Sequence, residues 1–318
     1  VHFFRIMHDP DRIGSMKAPW LAGLLAIAAA LPLALNGAGK PSVQEKSVGR
    51  ERLSLHEKST SADDLKLSGE LPGLPANAVR FVSYAELAKL PPVTFTVTDD
   101  SNFPGKAEIS GIYLDELLVV LNISGTNMLI AAICDDEYEA HYLVEYRAAH
   151  HPILVLRVNG KQLALSKRTS HGGSYGPYLI SHPSFTSRYQ TLAHPEEAQI
   201  PNGVLELRFV KEDEALGAIH PRGDFATGSP QMQGYLIAQE NCFRCHNAGP
   251  YGGRKAGVPW SSVSRIAYEK PAYFSAYIKD PQSQNGYADM PGFPDYDNAT
   301  LAALTAYFQS VVSEKGSK

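Results

Sequence analysis

Three cysteines in 318 residues leave no material for a disulfide framework. Basic charge is also in short supply. The 29 Lys and Arg are outnumbered by 33 Asp and Glu, and no basic block or basic–aromatic stripe occurs. A nucleic-acid partner is therefore not expected. Long apolar runs are scarce too. One stands out, from Ala18 to Leu35 (APWLAGLLAIAAALPLAL), and it contains Pro32 and is short for a membrane span. What remains is ordinary for a globular chain: 44% hydrophobic and 19% charged residues, enough for a sizeable core in one or two domains.

The apolar run follows Met16-Lys17 and is succeeded by Asn36-Gly37-Ala38-Gly39. A short positive start, an apolar centre and small residues at the end describe a secretory signal. The alternative is an uncleaved N-terminal membrane anchor. The residues before Met16 are polar and either lengthen the n-region or lie upstream of the true start. Residues 1–38 are thus expected to be a signal or anchor, and the protein to be periplasmic or otherwise exported. Residues 39–64 are polar and without period, as in a linker.

Two of the three cysteines fall in Asn241-Cys242-Phe243-Arg244-Cys245-His246. Cysteines two residues apart, followed at once by histidine, form the attachment motif of a c-type haem. Each thiol adds to one vinyl group, and the two-residue spacer lets both sulfurs reach the same edge of the macrocycle. His246 then lies beneath the ring as proximal iron ligand. A bare CxxC also suits a redox dithiol or half a zinc site. No second CxxC or H-x-x-x-H run supplies the remaining zinc ligands. Haem attachment outside the bacterial cytoplasm agrees with the export signal.

Around this motif, Ser229 and Pro230 open a helix over Gln231–Asn241. Pro271 to Lys279 (PAYFSAYIK) forms a middle helix stopped by Asp280-Pro281, and Asn298 caps a last helix to about Val312. On that last helix Leu301, Leu304, Tyr307 and Phe308 share a face. Residues 226–318 resemble the class I cytochromes c. The resemblance implies an all-α cytochrome c domain in which Gly234 lets the first and last helices cross closely. It implies that Pro259 (or Pro250) belongs to the loop whose carbonyl orients His246. It also implies that Met290, in Met290-Pro291-Gly292-Phe293, is the distal ligand; the alternative is an ordinary loop methionine. Arg244, Arg254, Lys255 and Lys279 are candidates for a positive rim facing a redox partner protein, or for a simple solvated face.

Residues 65–225 read as an α+β domain rich in strands. Strands are expected at Leu65–Gly69, Val93–Thr98, Ala107–Gly111, Met128–Ile133, Tyr138–Tyr142, Ile153–Val158, Gly176–Ile180 and Val204–Val210. Helices are expected at Ser83–Leu90, Leu114–Leu121 and Glu145–Ala149. Ile109–Leu117, Ala131–Tyr138, Pro152–Leu156 and Gly176–Ile180 resemble the molybdopterin-domain fold of the sulfite oxidase family, in its small form. That likeness implies a molybdenum cofactor bound by Cys134, with Tyr138 four residues on. No equivalent of the family's Arg- and His-rich pterin-binding segment is present. The other reading of Cys134 is a buried small hydrophobe ending a strand. Asp135-Asp136-Glu137 suits a cation or a solvated turn. His141, His150, His151 and His171 could contribute to a pocket or serve in turns and packing, and Arg168–Gly176 is a Gly- and Ser-rich loop that could hold an anion on its amides or simply connect its neighbours.

The sequence thus predicts an exported carrier of single electrons on one covalent haem held by Cys242, Cys245, His246 and Met290. The competing readings are a molybdenum oxidoreductase that uses Cys134 and discharges through the haem, and an N-terminal docking or ligand-binding module that places the haem beside a partner.

Overall fold

A computed structural model describes residues 53–163 and 176–312. The chain enters with β1 (Leu65–Gly69), β2 (Val79–Val82) and the short α1 (Tyr84–Leu87). Ser83 caps that helix by accepting the Glu86 amide. Next come β3 (Val93–Val97), β4 (Ala107–Tyr113), α2 (Leu114–Val120), β5 (Met128–Cys134) and β6 (Glu139–Tyr142). α3 (Val144–His150), β7 (Ile153–Val158), β8 (Lys161–Gln162) and β9 (Tyr178–Ser181) follow. The strand-rich region closes with β10 (Gln190–Thr191), β11 (His194–Pro195), the long β12 (Asn202–Lys211) and α4 (Glu212–Gly217).

Among the described residues a ten-stranded mixed sheet runs β2-β1-β12-β9-β7-β4-β3. β5 branches from β12 and carries β6. β1 and β12 pair in parallel, with Lys66 opposite Glu206, while β12 and β5 pair antiparallel from Val204/Cys134 to Lys211/Met128. The apolar runs have a direct cause: the sheet is covered on both sides. In β7, Leu154 and Leu156 enter the large cluster containing Leu67, Tyr142 and Phe209, whereas Ile153 and Val155 enter a second one with Val97 and Ile109. Alternate side chains of one strand thus serve opposite faces.

The C-terminal third is helical: α5 (Pro230–Glu240), a 3₁₀ turn (Cys242–Arg244), α6 (Trp260–Glu269), α7 (Pro271–Lys279), α8 (Pro281–Gln284) and α9 (Asn298–Ser310). Ser229 caps α5, accepting the Met232 amide, with Pro230 at the first helical position. The cap of α9 is Asp297, which accepts the Thr300 amide; Asn298, the expected cap, is already helical. α6 is a helix not expected from the sequence, although Trp260, Val263, Ile266 and Ala267 fall at helical spacing and pack into one cluster. α5 crosses α9 at Gly234, where a Cβ would stand 2.1 Å from the Ala303 carbonyl oxygen and 2.7 Å from the Tyr307 Cβ. Any side chain there would force the two helices apart.

The expected architecture, an α+β molybdopterin-type domain followed by an all-α cytochrome c domain, is not what the chain forms. It forms a mixed α/β unit with a large mixed sheet, and no clear all-α domain separates from it. Contacts place Val48–Lys318 in one compact unit; the other, Val1–Ser47, lies outside the described residues. The cause is that the helices do not close a core of their own. Their apolar cluster takes in Ile219 and packs Leu192, Ala193 and Leu216, all from before residue 226. Tyr251 in turn packs on Leu129 and Ala131 of β5.

Among the described residues no helix is long and apolar enough to cross a membrane. The Ala18–Leu35 run, the expected linker up to Glu51-Arg52, His171 and all of the Arg168–Gly176 loop except Gly176 lie outside the described residues.

Candidate haem-attachment site

α5 ends at Glu240, and the chain tightens into the 3₁₀ turn rather than continuing. The Cys245 and His246 amides both donate to the Cys242 carbonyl, at 3.1 and 3.0 Å. One turn therefore carries both half-buried thiols and the imidazole. Gly253 folds the following loop back against it: a Cβ there would lie 1.8 Å from the Arg244 carbonyl oxygen. The returning loop brings the Val258 carbonyl to 2.7 Å from His246 Nδ1. A carbonyl only accepts, so Nδ1 carries the hydrogen and the Nε2 lone pair is left free. Burial holds His246 below its ordinary value, with the Val258 bond opposing, which favours the neutral imidazole that metals bind. The orienting carbonyl is thus that of Val258, immediately before Pro259. Pro250 has a different part, accepting from Arg208 Nη1 at 3.3 Å.

Met290 sits in the loop between α8 and α9, half-buried against the same apolar cluster that Cys242 touches. It lines a cavity of about 400 Å³ with Asp280, Ala288 and Pro291. The loop is pinned by the Phe293 amide, which donates to the Ile278 carbonyl at 2.9 Å.

The donor set fits a covalent haem better than the alternatives. A dithiol nucleophile needs a lowered pKa, yet burial, with the charge of Cys245, pushes the Cys242 thiol up to about 12. For zinc, no group of three or more His, Cys, Asp or Glu among the described residues could hold a metal ion. A haem asks for two thiols on one turn, one imidazole with a free Nε2, and a thioether nearby. The first two are present on this turn, and Met290 supplies a thioether in the adjoining apolar cluster.

Behind the turn lies the strand-rich region. The Phe243 ring is 1% exposed and stacks on His141 of β6, centroids 4.9 Å apart, with its other contact edge-on to Trp260 at 5.5 Å. The Arg254 amide donates to the Glu137 carbonyl at 2.9 Å, and Lys255 Nζ pairs with Asp136 at 2.6 Å. Arg244 is buried and paired with Glu197 at 3.1 Å. It is therefore not part of a solvent-facing positive rim, whereas Arg254 and Lys279 are exposed. Glu240 accepts from the Glu197 amide at 2.7 Å and the Tyr189 hydroxyl at 3.1 Å, and it faces His194 at 3.2 Å. Sequence reasoning missed the carboxylates Glu197 and Glu240. The available signal was Arg244 itself, a long cation inside the Cys242–His246 motif.

The structure does not bring the predicted histidines together. His141 bonds Glu139 at 3.0 Å and His150 bonds Glu196 at 3.1 Å, both buried, while His151 ends α3 with φ 48° and is exposed. Cys134 lies across the interface from the attachment turn. It lines a cavity of about 200 Å³ with Asp136, Tyr138, Asn202 and Lys255. These residues do not fit a molybdopterin. Burial, then Asp136 and Asp135, push the thiol well above its ordinary value, which opposes the thiolate a metal needs. The cavity's one cation, Lys255, is already paired with Asp136. No step is assigned to that group.

A scan of the chain against protein-family models returns no match, and a search of curated proteins returns none either.

Proposed function

We propose that this chain is an exported carrier of single electrons, with one haem attached through Cys242 and Cys245 and its iron held by His246 and Met290. When bound, the haem supplies a one-electron Fe(III)/Fe(II) couple. The chain's part is to attach, orient and shield it. The 3₁₀ turn holds both cysteines on one backbone turn. The Val258 carbonyl fixes the His246 tautomer, a supporting contact that raises the basicity of the ligating nitrogen. Met290 offers a soft thioether that favours the reduced state relative to a second imidazole. Were His246 and Met290 both to hold the iron, no site would be left there for substrate, and the activity would be carriage rather than turnover. A redox partner protein is needed as donor and another as acceptor.

The observation that carries this reading is the His246–Val258 contact on the same turn as the two thiols. Export rests on the Met16-Lys17 start and the apolar run after it. The test is expression of the full chain in a bacterium with a c-type haem attachment system, followed by cell fractionation. Haem that stays with the polypeptide on a denaturing gel is expected in the exported fraction. An α-band typical of two thioethers, lost in Cys242→Ala, is expected with it. A colourless exported protein would overturn the proposal.

A further inference from the structure

We infer that Arg244, set against Glu197 from the strand-rich region, is a potential-setting residue: its buried positive charge holds the haem couple at a higher midpoint. The inference rests on the haem reading above and concerns the same site. Arg244 lies between the two attachment cysteines and is 6% exposed. One of its nitrogens, Nη1, is paired with Glu197 at 3.1 Å. Nε and Nη2 are buried and reach no carboxylate; the Tyr138 hydroxyl is the neighbour that interacts with the guanidinium. Arginine–carboxylate clamps are frequently bidentate. Here one nitrogen meets Glu197, whose side chain is 39% exposed to water. Glu197 therefore cancels the cation's field only in part, and the second carboxylate, Glu240, is shared with Tyr189, His194 and the Glu197 amide. Inside the protein that field is also poorly screened by salt.

The charged and titratable groups facing Arg244 come from both regions. Glu240 of α5 and Tyr138 of the β5–β6 turn join Glu197 in holding the guanidinium protonated against burial. Glu240 is itself engaged by Tyr189, His194 and the Glu197 amide. A fixed positive charge beside the motif opposes the more positive, oxidised iron and favours the reduced one. Glu197 works in the opposite sense. The strand-rich region thus contributes the counter-charge that trims the potential of a haem it does not ligate.

The sign of each effect separates this role from a structural one. Full-length protein carrying its haem is titrated spectroelectrochemically with small mediators, one electron per iron. Arg244→Met is expected to lower the midpoint by on the order of a tenfold change in the oxidised-to-reduced ratio, 59 mV for one electron. Arg244→Lys, which keeps the charge and loses the fork, is expected to stay close to the parent. Glu197→Gln is expected to raise the midpoint. Shifts of Arg244→Met and Glu197→Gln in the same direction would overturn the inference, as would Arg244→Lys falling with Arg244→Met. If Arg244→Met yields no haem protein, Glu197→Gln decides alone: a rise supports the inference and an unmoved midpoint overturns it. A parent chain without covalent haem removes the carrier reading, and the inference with it.

Discussion

The two regions of this chain pair their buried charges differently; the strand-rich region pairs many of its own, as in Glu139–His141 and Glu196–His150. The sheet buries hydrocarbon on both faces, and β7 shows the rule: four consecutive apolar residues feed two clusters by turns. Around the attachment turn the buried residues include Glu240, Arg244 and His194. Burying charge is costly unless it is paired. The pairing here crosses between regions, Arg244 to Glu197 and Glu240 to the Glu197 amide. The strand-rich region therefore pairs buried charge largely within itself, whereas the buried Arg244 of the helical region depends on Glu197 from across the junction.

The widest separation between the regions is expected when attachment is blocked. In the double variant Cys242→Ala, Cys245→Ala, covalent haem falls to zero. Amide exchange should then accelerate across α7 and α9, while protection in β5, β7 and β12 is retained. Loss of protection in the strands as well would show that the regions are not energetically distinct.

Phe243 sharpens the comparison at the junction. Its ring sits between His141 of the sheet and Trp260 of α6. Truncating a fully buried Phe to Ala costs about 3–5 kcal/mol, and here both regions lose a contact. Denaturant unfolding of the haem-loaded Phe243→Ala protein should show a loss of that size. An unchanged midpoint would mean that the stack is ornamental and the regions are joined elsewhere.

A smaller effect belongs to the strand-rich region alone. Burial, and then the charge of His150, lowers His182 to about 3 from an ordinary 6.5. Its Nε2 is hydrogen-bonded with the Tyr146 hydroxyl at 2.9 Å. The folded state refuses a proton that the unfolded state accepts. The stabilising contribution is complete above about pH 6.5 and is lost as pH falls from there towards 3, with a slope approaching about 1.4 kcal/mol per pH unit. Between pH 6.5 and 5, above the main carboxylate range, His182→Gln should flatten the dependence of unfolding free energy on pH. An unaltered slope would assign the acid sensitivity to another group.

The same contrast explains what the sequence made legible. Strands such as Val93–Val97 and Ile153–Val158 were readable because alternation or an unbroken apolar run is a direct consequence of facing one or two cores. The Cys242, Cys245 and His246 motif stood out because the covalent chemistry proposed for it demands fixed spacing. Gly234 was readable only through a resemblance, and the close approach to Ala303 supplies its physical reason. Three things were not legible. The apolar face of α6, Trp260, Val263, Ile266 and Ala267, is interrupted in sequence by Ser261, Ser262, Ser264 and Arg265. The Glu197 and Glu240 pairings join positions remote in sequence, and no local pattern encodes them. The union of the two regions into one unit depends on Ile219, Leu192 and Tyr251, each unremarkable in its own segment.

The smallest expected effect concerns Cys134, the residue on which an enzymatic reading of the strand-rich region would turn. Its thiol is 6% exposed and belongs to the large apolar cluster with Tyr142 and Val204. The carboxylates of Asp135 and Asp136 join burial in keeping it protonated. A group so placed acts as a small hydrophobe. Cys134→Ala should cost about 1 kcal/mol of stability, an ordinary figure for a single substitution. It should leave the visible spectrum and the midpoint potential where they are. The measurement has force because Cys134 is close enough to the attachment turn for the charge of Cys245 to reach it. If the midpoint moves with the cavity left intact, the sheet's thiol communicates with the haem, and the division between a supporting and a redox-active region fails at that point.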